Sequence, residues 1–598
     1  MGIHFGNEPA LTLLIVLNPK QLLVSFFLHW LAQSPRCALP EVTMETPHQR
    51  EYLSFGDALF LHLEQQGVPI NIASVAVFEG SIHMEELLPY VEAKLSHVPR
   101  CMQRVVAPPF NIGLPSLEYD PNFDFRNHVH ENTLRHGTDA ELKALAGKLF
   151  SLNLDRNHPL WDFTLIHGLK GNRTALIARL HHSMADGMSG VAFLNALMDT
   201  SPDVPHLPRR KISIPVTAPR DPATTLLQTL TSSWFLTIER LLSAQGDLLT
   251  MARRLVSNGN SPNGASGPAE SLPDEPHNTV PFMDDLSRIL PEIASSPIRL
   301  PFNVICKGPQ KFEWTEVAFE DLRALKNAIH CSFNDVALTV IASTYRRYAE
   351  FRGSDTSNRP IHIVVPVNTR AADDDSHGMG NQITFVPIAI PLGIRDPRKL
   401  LAAVHERMTM IKQARIAEMV SLAGALISAI PSPVQVFLGP IAAQLPLTLC
   451  NLIFTNVPGP RHPLYVLGHR MLKAYPYVPI GGEMGANCAV LTYDGTAHFG
   501  FSCDVHATPD SHLLPKFLQE SLEELQQAFG LKVEKKKEKQ VRKAVKPQIK
   551  KKPAPKPQRE KQMTPLEPVV VPEAKPPERP SVEAEKPAPE LALAATAD

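Results

Sequence analysis

The chain has 598 residues, of which 43% are hydrophobic, and its 59 lysines and arginines nearly balance 60 aspartates and glutamates. That length exceeds one ordinary hydrophobic core, so we expect two or three domains, and the near-zero net charge gives no sign of nucleic-acid binding. None of the seven cysteines forms a Cys-x-x-Cys pair. The sequence therefore predicts neither a zinc site nor a disulfide framework, and it favours reduced thiols in a cytoplasmic protein.

Residues 1–43 contain two apolar stretches that are separated by Asn18-Pro19-Lys20-Gln21. Neither stretch reaches the roughly 20 apolar residues needed to span a bilayer, and the segment lacks the basic start of a signal peptide. We interpret 1–43 as an N-terminal extension that need not belong to the functional protein, with Met44 as the functional start. The alternative is an anchor that lies on a membrane surface.

Residues 44–205 read as a first α/β region. A capped helix is predicted to begin at Ser54, and apolar periodicity predicts further helices and strands. The predicted strands are 72–78, 128–134, 159–166 and 174–180, and the predicted helices are 84–96, 140–152 and 188–198. A turn at Lys170-Gly171-Asn172 should join the last two strands as a hairpin. The strand 174–180 then leads directly into a polar cluster, His181-His182-Ser183-Met184-Ala185-Asp186-Gly187.

Residues 206–300 read as a linker with an amphipathic helix over 226–256 and a flexible loop over 257–277. A second α/β region follows at 301–531. Its predicted helices are 319–329, 336–348, 399–415 and 512–529, and its predicted strands are 361–367, 383–390, 452–457, 488–493 and 498–503. Residues 532–598 are rich in lysine, proline and alanine and are expected to be disordered. Their basic part could bind an anionic membrane surface or act only as a solubilising tail.

The histidine cluster is the strongest chemical signal in the chain. Adjacent side chains on an extended backbone point in different directions, so one histidine can face a cavity while the other is held in the protein. A neutral imidazole can take a proton from a hydroxyl as the oxygen attacks a carbonyl. No Gly-x-Ser-x-Gly elbow supports a serine hydrolase, and no His-Glu-x-x-His or Cys/His set supports a metal site. A purely structural histidine pair is the remaining alternative.

The cluster fits the HHxxxDG signature of CoA-dependent acyltransferases, and other segments narrow the resemblance. These segments look like the successive motifs of the bacterial wax ester synthase/acyl-CoA:diacylglycerol acyltransferase family. They are Leu53-Ser54-Phe55-Gly56-Asp57-Ala58-Leu59-Phe60, Pro159-Leu160-Trp161, Asn334-Asp335, Pro366-Val367-Asn368-Thr369-Arg370, Gly380-Asn381 and Asn456-Val457-Pro458-Gly459-Pro460. The resemblance covers residues 50–530. It departs at Asn368-Thr369, where the family usually has serine and an aliphatic residue.

The resemblance implies an α/β fold with two mixed-sheet domains like those of chloramphenicol acetyltransferase, and an active site in a tunnel between them. It also implies that His182 is the general base, that His181 supports it, and that Gly187 allows close backbone approach. Asp186 would orient the loop, with Arg370 as a candidate partner. The other residues implied to bind substrate, some with a structural alternative such as core packing or helix capping, are Pro159, Leu160, Trp161, Asn334, Asp335, Gly380 and Asn381.

The implied reaction moves a long-chain acyl group from acyl-CoA, a co-substrate, to diacylglycerol or a fatty alcohol, without a metal or other cofactor. We expect a cytoplasmic protein at the periphery of the inner membrane or of lipid inclusions. The segments 226–256 and 421–447 could dock there or could be ordinary core helices. Two alternatives stay open: a condensation-type synthase that uses carrier-protein thioesters, and a lipid-binding scaffold without turnover.

Overall fold

The computed structural model describes residues 51–108, 114–184, 297–368, 383–414 and 450–531 without a gap, most of 193–203, and scattered positions in 287–295 and 416–434. All of these residues belong to one unit, Met1–Val533. The predictions for 1–43, 226–256, 257–277 and 532–598, and nearly all of 421–447, lie outside the described residues.

The first part of the described chain has three helices and seven strands. The helices are α1 (Phe55–Leu63), α2 (Met84–Leu95) and α3 (Asp139–Phe150), and the strands are β1 (Glu51–Tyr52), β2 (Asn71–Glu79), β3 (Gln103–Val106), β4 (Ser116–Tyr119), β5 (Val129–Thr133), β6 (Trp161–Leu169) and β7 (Arg173–His181). The elements predicted up to the histidine cluster are thereby confirmed. The strands β1, β3 and β4, which form a small sheet in the order β1-β4-β3, are additional to the predicted ones.

Local side-chain chemistry explains where several of these elements begin and end. The Ser54 hydroxyl accepts the backbone N–H of Asp57 at 3.0 Å, which caps α1 as predicted. The hairpin between β6 and β7 turns at Gly171 and Asn172, whose φ angles are 83° and 51°. Positive φ at two successive turn residues matches the right-handed twist of the flanking strands, so this turn sets the β6–β7 register. The pairing shifts between Ile166 and Leu169, and beyond that shift Trp161 lies opposite Leu180.

The second part of the described chain has four helices and eight strands. The helices are α4 (Phe319–Ile329), α5 (Phe333–Phe351), α6 (Pro397–Gln413) and α7 (Leu514–Ala528), and the strands are β8 (Gln310–Ala318), β9 (Pro360–Asn368), β10 (Ile383–Pro391), β11 (Leu452–Pro458), β12 (Tyr465–Val466), β13 (His469–Tyr477), β14 (Ala486–Tyr493) and β15 (Thr496–Asp504). The sequence analysis predicts all four helices and five of these strands, but no strand at β8, β12 or β13.

Two six-stranded mixed sheets organise the fold. The first has the order β12-β13-β2-β7-β6-β5 and the second has the order β10-β9-β11-β14-β15-β8. The expected α/β class with two sheet domains is therefore confirmed. The two sheets do not correspond to the two halves of the chain, however. β12 and β13 come from the second half of the chain, but β13 pairs with β2 in the first sheet. The first sheet therefore contains strands from both of the expected regions, 44–205 and 301–531.

The strand β13 also brings the two sheets into close contact. At Gly500 on β15, an added Cβ would lie only 1.9 Å from the carbonyl oxygen of Pro476 on β13. A glycine is therefore required where these backbones pass each other. Tyr475 of β13 stacks on Trp314 of β8, with ring centroids 4.6 Å apart, on the same side of the contact. Among the described residues, no helix combines the length and the apolar character needed to cross a membrane.

Candidate active site

The two histidines lie where β7 ends against its neighbouring strands. The backbone N–H of His181 donates to the carbonyl oxygen of Leu160 at 2.9 Å, and that of His182 donates to Ile70 at 2.9 Å. The chain then turns, because the N–H of Met184 bonds back to the carbonyl of His181 at 2.9 Å. Hydrogen bonds to both neighbouring strands therefore fix the backbone of both histidines.

His182 faces a cavity and packs against an aromatic ring. Its imidazole stacks on the ring of Phe60 from α1, with centroids 4.1 Å apart and an interplanar angle of 26°. Both side chains line a cavity of about 150 Å³. The predicted strand-to-turn position thus places the second histidine, as expected, at an internal space.

The cavity lies between the facing surfaces of the two sheets. β2, β7 and β13 of the first sheet supply one wall, and β9, β10, β11 and β14 of the second sheet supply the other. Its lining is almost entirely apolar and includes Ile72, Ala178, Leu180, Phe193, Pro366, Phe385, Ile453, Val457, Ala489 and Leu491. Apolar cavities of this size stay dry and accept apolar ligands, so a hydrocarbon chain is the occupant that this space favours.

Among the described lining residues, three have ionisable side chains: His182, Arg179 and Tyr477. Arg179 is committed to Asp162, which accepts from its Nε at 2.9 Å and its Nη2 at 2.5 Å. Burial raises the pKa of Tyr477 far above its ordinary value, and its hydroxyl bonds to the side chain of Gln310. Imidazole is the side chain of this set that can accept a proton near neutral pH.

His181 points away from the cavity into a buried polar cluster. Its Nδ1 accepts the backbone N–H of Ser183 at 3.1 Å and lies 2.7 Å from the Ser183 hydroxyl. Its Nε2 faces Oε1 of Glu64 at 3.5 Å. Glu64 in turn accepts from Nη2 of Arg156 at 2.8 Å. The two adjacent histidines therefore have different surroundings, as the extended backbone predicts.

The segment Pro159-Leu160-Trp161 lies in the core behind the histidines. The indole Nε1 of Trp161 donates to the carbonyl of Cys101 at 2.8 Å, and the indole stacks on His128 with centroids 4.5 Å apart. Leu160 is 1% exposed. The described cavity lining includes none of the three residues. Their contact with the site runs through the Leu160 carbonyl, which holds the N–H of His181.

Asn334 and Asp335 lie in the first turn of α5. Asp335 completes a capping box with Ser332, and its Oδ2 also lies 2.8 Å from Nδ1 of His405 on α6. The side-chain carbonyl of Asn334 accepts from the amide of Asn456 on β11 at 2.7 Å. Two of the segments that carry the family resemblance therefore meet, and they join α5 to a strand whose neighbouring residues line the cavity.

Five predicted site residues lie outside the described residues. They are Asp186, Gly187, Arg370, Gly380 and Asn381. Among the residues that are described, no group of histidine, cysteine, aspartate and glutamate is arranged to hold a metal ion.

The sequence did not single out Glu64 or the Arg179–Asp162 pair, and it placed Phe60 only at the end of the segment Leu53–Phe60, without a role of its own. Phe60 lies in α1 and Glu64 is the C-cap of that helix, which is mostly apolar. A glutamate next to such a segment is a weak signal by itself, because helix ends often carry charge. Only the tertiary contacts show that it lies under the first histidine.

Comparison with known proteins now identifies the family. Residues 53–337 match the family model of the wax ester synthase/diacylglycerol acyltransferase catalytic domain. Residues 379–526 match the model of the C-terminal domain of the same family. The chain belongs to the wax ester synthase/diacylglycerol acyltransferase family. Membership makes it an acyltransferase, as the HHxxxDG cluster indicates.

Individual relatives are similar over most of the chain. A probable diacylglycerol O-acyltransferase of Mycobacterium tuberculosis, tgs1, is 26% identical over 484 residues, which are 79% of this chain and 95% of the relative. A second one, tgs2, is 24% identical over 489 residues, which are 79% of this chain and 98% of the relative. The solved wax ester synthase/diacylglycerol acyltransferase of Marinobacter aquaeolei shares the fold, with a TM-score of 0.52 and 20% identity over 80% of this chain and all of that one.

Proposed function

We propose that this member of the family transfers a long-chain acyl group from acyl-CoA to a hydroxyl acceptor. The acceptor is diacylglycerol, a fatty alcohol or both, and the products are triacylglycerol or wax ester and CoA. One observation carries the proposal: the imidazole of His182 lines an apolar cavity between the two sheets. That cavity suits a hydrocarbon chain, and an imidazole beside it suits the activation of a hydroxyl.

His182 acts as the general base in this proposal. It takes the proton of the acceptor hydroxyl while the oxygen attacks the thioester carbonyl. The tetrahedral intermediate then collapses, the carbon–sulfur bond breaks, and the imidazolium returns the proton to the CoA sulfur. The histidine ends as it began, and no covalent enzyme intermediate forms. General-base assistance of this kind typically contributes about 10²–10⁴ in rate.

The remaining predicted site residues keep their proposed roles. Asp186 orients the loop after the histidines with Arg370 as candidate partner, and Gly187 allows close backbone approach. His181 supports the base. Substrate-side positions remain proposed for Pro159, Leu160, Trp161, Asn334, Asp335, Gly380 and Asn381, and the contacts of the first five favour an indirect contribution through the backbone and helix caps that surround the cavity.

Diacylglycerol is the acceptor to test first, because the two curated relatives are named diacylglycerol O-acyltransferases. Long-chain diacylglycerols and alcohols partition into membranes, so we also propose that the enzyme works in the cytoplasm at the surface of the inner membrane or of lipid inclusions. Flotation of the purified protein with anionic and neutral vesicles tests this location. Recovery of all the protein in the lipid-free fraction for both compositions would contradict it.

A His182→Ala variant tests the mechanism. Incubation with labelled palmitoyl-CoA and either dipalmitoylglycerol or hexadecanol, followed by thin-layer separation, should show a loss of about 10²-fold or more in both products. His130→Ala is the matched control, because His130 is exposed on β5, and its activity should stay unchanged. Circular dichroism confirms that both variants are folded. Activity of the His182 variant within a few-fold of the wild type would refute the general-base role.

A further inference from the structure

The tautomer of His181 follows from its contacts. A backbone N–H can only donate, and the N–H of Ser183 points at Nδ1 of His181 at 3.1 Å. Nδ1 must therefore be the unprotonated ring nitrogen, and the neutral ring carries its proton on Nε2. The second contact at Nδ1, the Ser183 hydroxyl at 2.7 Å, agrees because a hydroxyl can also donate. The Nε2–H then points toward Glu64.

Glu64 is the available acceptor for that proton. The side chains of His181 and Glu64 are 1% and 4% exposed, and Nε2 lies 3.5 Å from Oε1, at the outer limit of a hydrogen bond. Within the described part of the chain, neither atom has another hydrogen-bond partner. Asn71, directly opposite His181 in the β2–β7 pair, is also fully buried. Its amide likewise lacks a described partner. Buried polar groups without a hydrogen-bond partner are rare in a core, so this cluster calls for an explanation.

The Glu64 carboxyl is ionised in this setting. Burial alone would raise its pKa, but the His181 imidazole facing it and the ion pair with Arg156 outweigh burial and lower the pKa to about 2. A full negative charge therefore lies beneath the histidine turn at neutral pH. The Arg156 side chain is half exposed, so it connects this buried charge to solvent.

The same turn of chain supports both histidines. Glu64 is the C-cap of α1, and its backbone N–H bonds to the carbonyl of Phe60 at 3.2 Å. Phe60 stacks on His182, while the carboxylate four residues later faces His181. A shift of this helix end would move both supports together, so the position of the Glu64 carboxylate and the orientation of the catalytic imidazole are mechanically linked.

We propose that Glu64 is a positioning residue of this acyltransferase: its carboxylate holds His181 as the Nε2–H tautomer and so fixes the turn that presents His182 to the cavity. The inference rests on the proposed role of His182 as general base. Glu64 acts through His181 and the end of α1 and does not touch the substrate. In this proposal, the negative charge beneath the turn also favours the protonated form of the His182 imidazole and so strengthens the base.

The first test is Glu64→Gln, which preserves size and removes charge. We expect kcat to fall by about tenfold or more, as for other residues that orient a functional histidine, with KM for palmitoyl-CoA nearly unchanged. The acidic limb of the pH–rate profile should shift to lower pH, because removal of a neighbouring negative charge lowers the pKa of the base. A residue with only a structural role would not move this limb.

Two controls isolate the mechanism. Glu131→Gln neutralises an exposed glutamate that lies 3.4 Å from Nε2 of His167 on the same sheet, and it should leave both kcat and the pH profile unchanged. A double-mutant cycle with His181→Asn tests the route of the effect. If Glu64 acts through His181, the Glu64→Gln change should have little further effect once His181 is replaced. Full additivity would overturn the proposal.

Glu64→Asp provides a second variant that keeps the charge and shortens the reach. Its kcat should fall while the acidic limb stays at the wild-type pH, and it serves as the primary test if Glu64→Gln does not fold. Wild-type kcat in both Glu64 variants would overturn the positioning role. Failure of the underlying function is distinguishable, because in that case His182→Ala would itself retain activity.

Discussion

Replacing Ala178 by leucine should shorten the hydrocarbon chains that the enzyme accepts. Ala178 lies on β7 on the cavity wall, directly opposite Ser74 of β2. The next pair inward on the same face is Ala76 and Leu176, and both belong to the packed core and not to the cavity lining. The Ser74–Ala178 pair therefore marks the closed end of the cavity along this sheet.

The depth and the size of the effect follow from strand geometry. Ala178 precedes His182 by four residues, which is about 13 Å along an extended strand. An extended chain advances about 1.2 Å per bond, so roughly ten carbons fit between the two positions. A leucine would displace about three methylenes of a longer chain, at about 0.8 kcal/mol each. The expected loss is about 2 kcal/mol, or about thirtyfold in kcat/KM, for chains that reach Ala178.

The assay measures kcat/KM over acyl-CoA donors of increasing length with one acceptor, and then over alcohols of increasing length with one donor. The arm in which the cutoff near ten carbons appears identifies whether donor or acceptor occupies this end of the cavity. Ala178→Gly is the control at the same site, and it should keep full activity on palmitoyl substrates. The leucine side chain enters existing space, so the free energy of unfolding should change by less than about 1 kcal/mol.

An unchanged chain-length profile in both arms would refute this reasoning, because the cavity would then not hold the chain at Ala178. A uniform loss of activity for short and long chains, with a loss of about 1–3 kcal/mol in stability, would equally refute it. That result would mean that position 178 is packed core instead of the end of a substrate cavity.

Two further predictions concern buried charge. Asp162→Asn leaves the buried Arg179 guanidinium without its ion-pair partner. The free energy of unfolding in urea should therefore fall by about 3–5 kcal/mol. Neutralising Asp124 in its exposed pair with Arg126 should change that free energy little. Burial lowers the pKa of His498 from 6.5 to about 4. The unfolded chain therefore binds a proton at this histidine before the folded protein does. The free energy of unfolding should be unaffected above pH 6.5 and should fall by about 3 kcal/mol as the pH drops toward 4. Urea unfolding between pH 7.5 and 4.5 should show a smaller pH dependence in His498→Phe, and equal slopes in both proteins would contradict the assignment.

Local chemistry made a large part of this protein readable from its sequence. The Ser54 and Ser332 caps, the Gly171-Asn172 turn and the apolar run before His181 each act within a few residues, so their structural consequences are written in short segments. The same holds for the chemical signal, because two histidines at the end of a buried strand must diverge. Family membership also follows from short motifs taken in order.

Contacts between distant segments were decided only by the tertiary structure. β13 joins the first sheet through pairs such as Tyr475 with Val75, which are separated by several hundred residues. No local pattern encodes that partnership, because a strand's periodicity specifies a buried face and not the strand beside it. Since β13 also lies against the second sheet, this pairing sets how the two sheets face each other and hence where the cavity is.

The histidine turn shows the same division. The sequence by itself indicated that one histidine should face a cavity and the other be held in the protein, and the family resemblance implied that His182 is the first of these. The residue that lies under His181 could not be read from the chain, because Glu64 is more than a hundred positions away and has no motif of its own. Its contact depends on the α1 C-cap reaching the end of β7, and that juxtaposition arises only when the first sheet and its helices pack together.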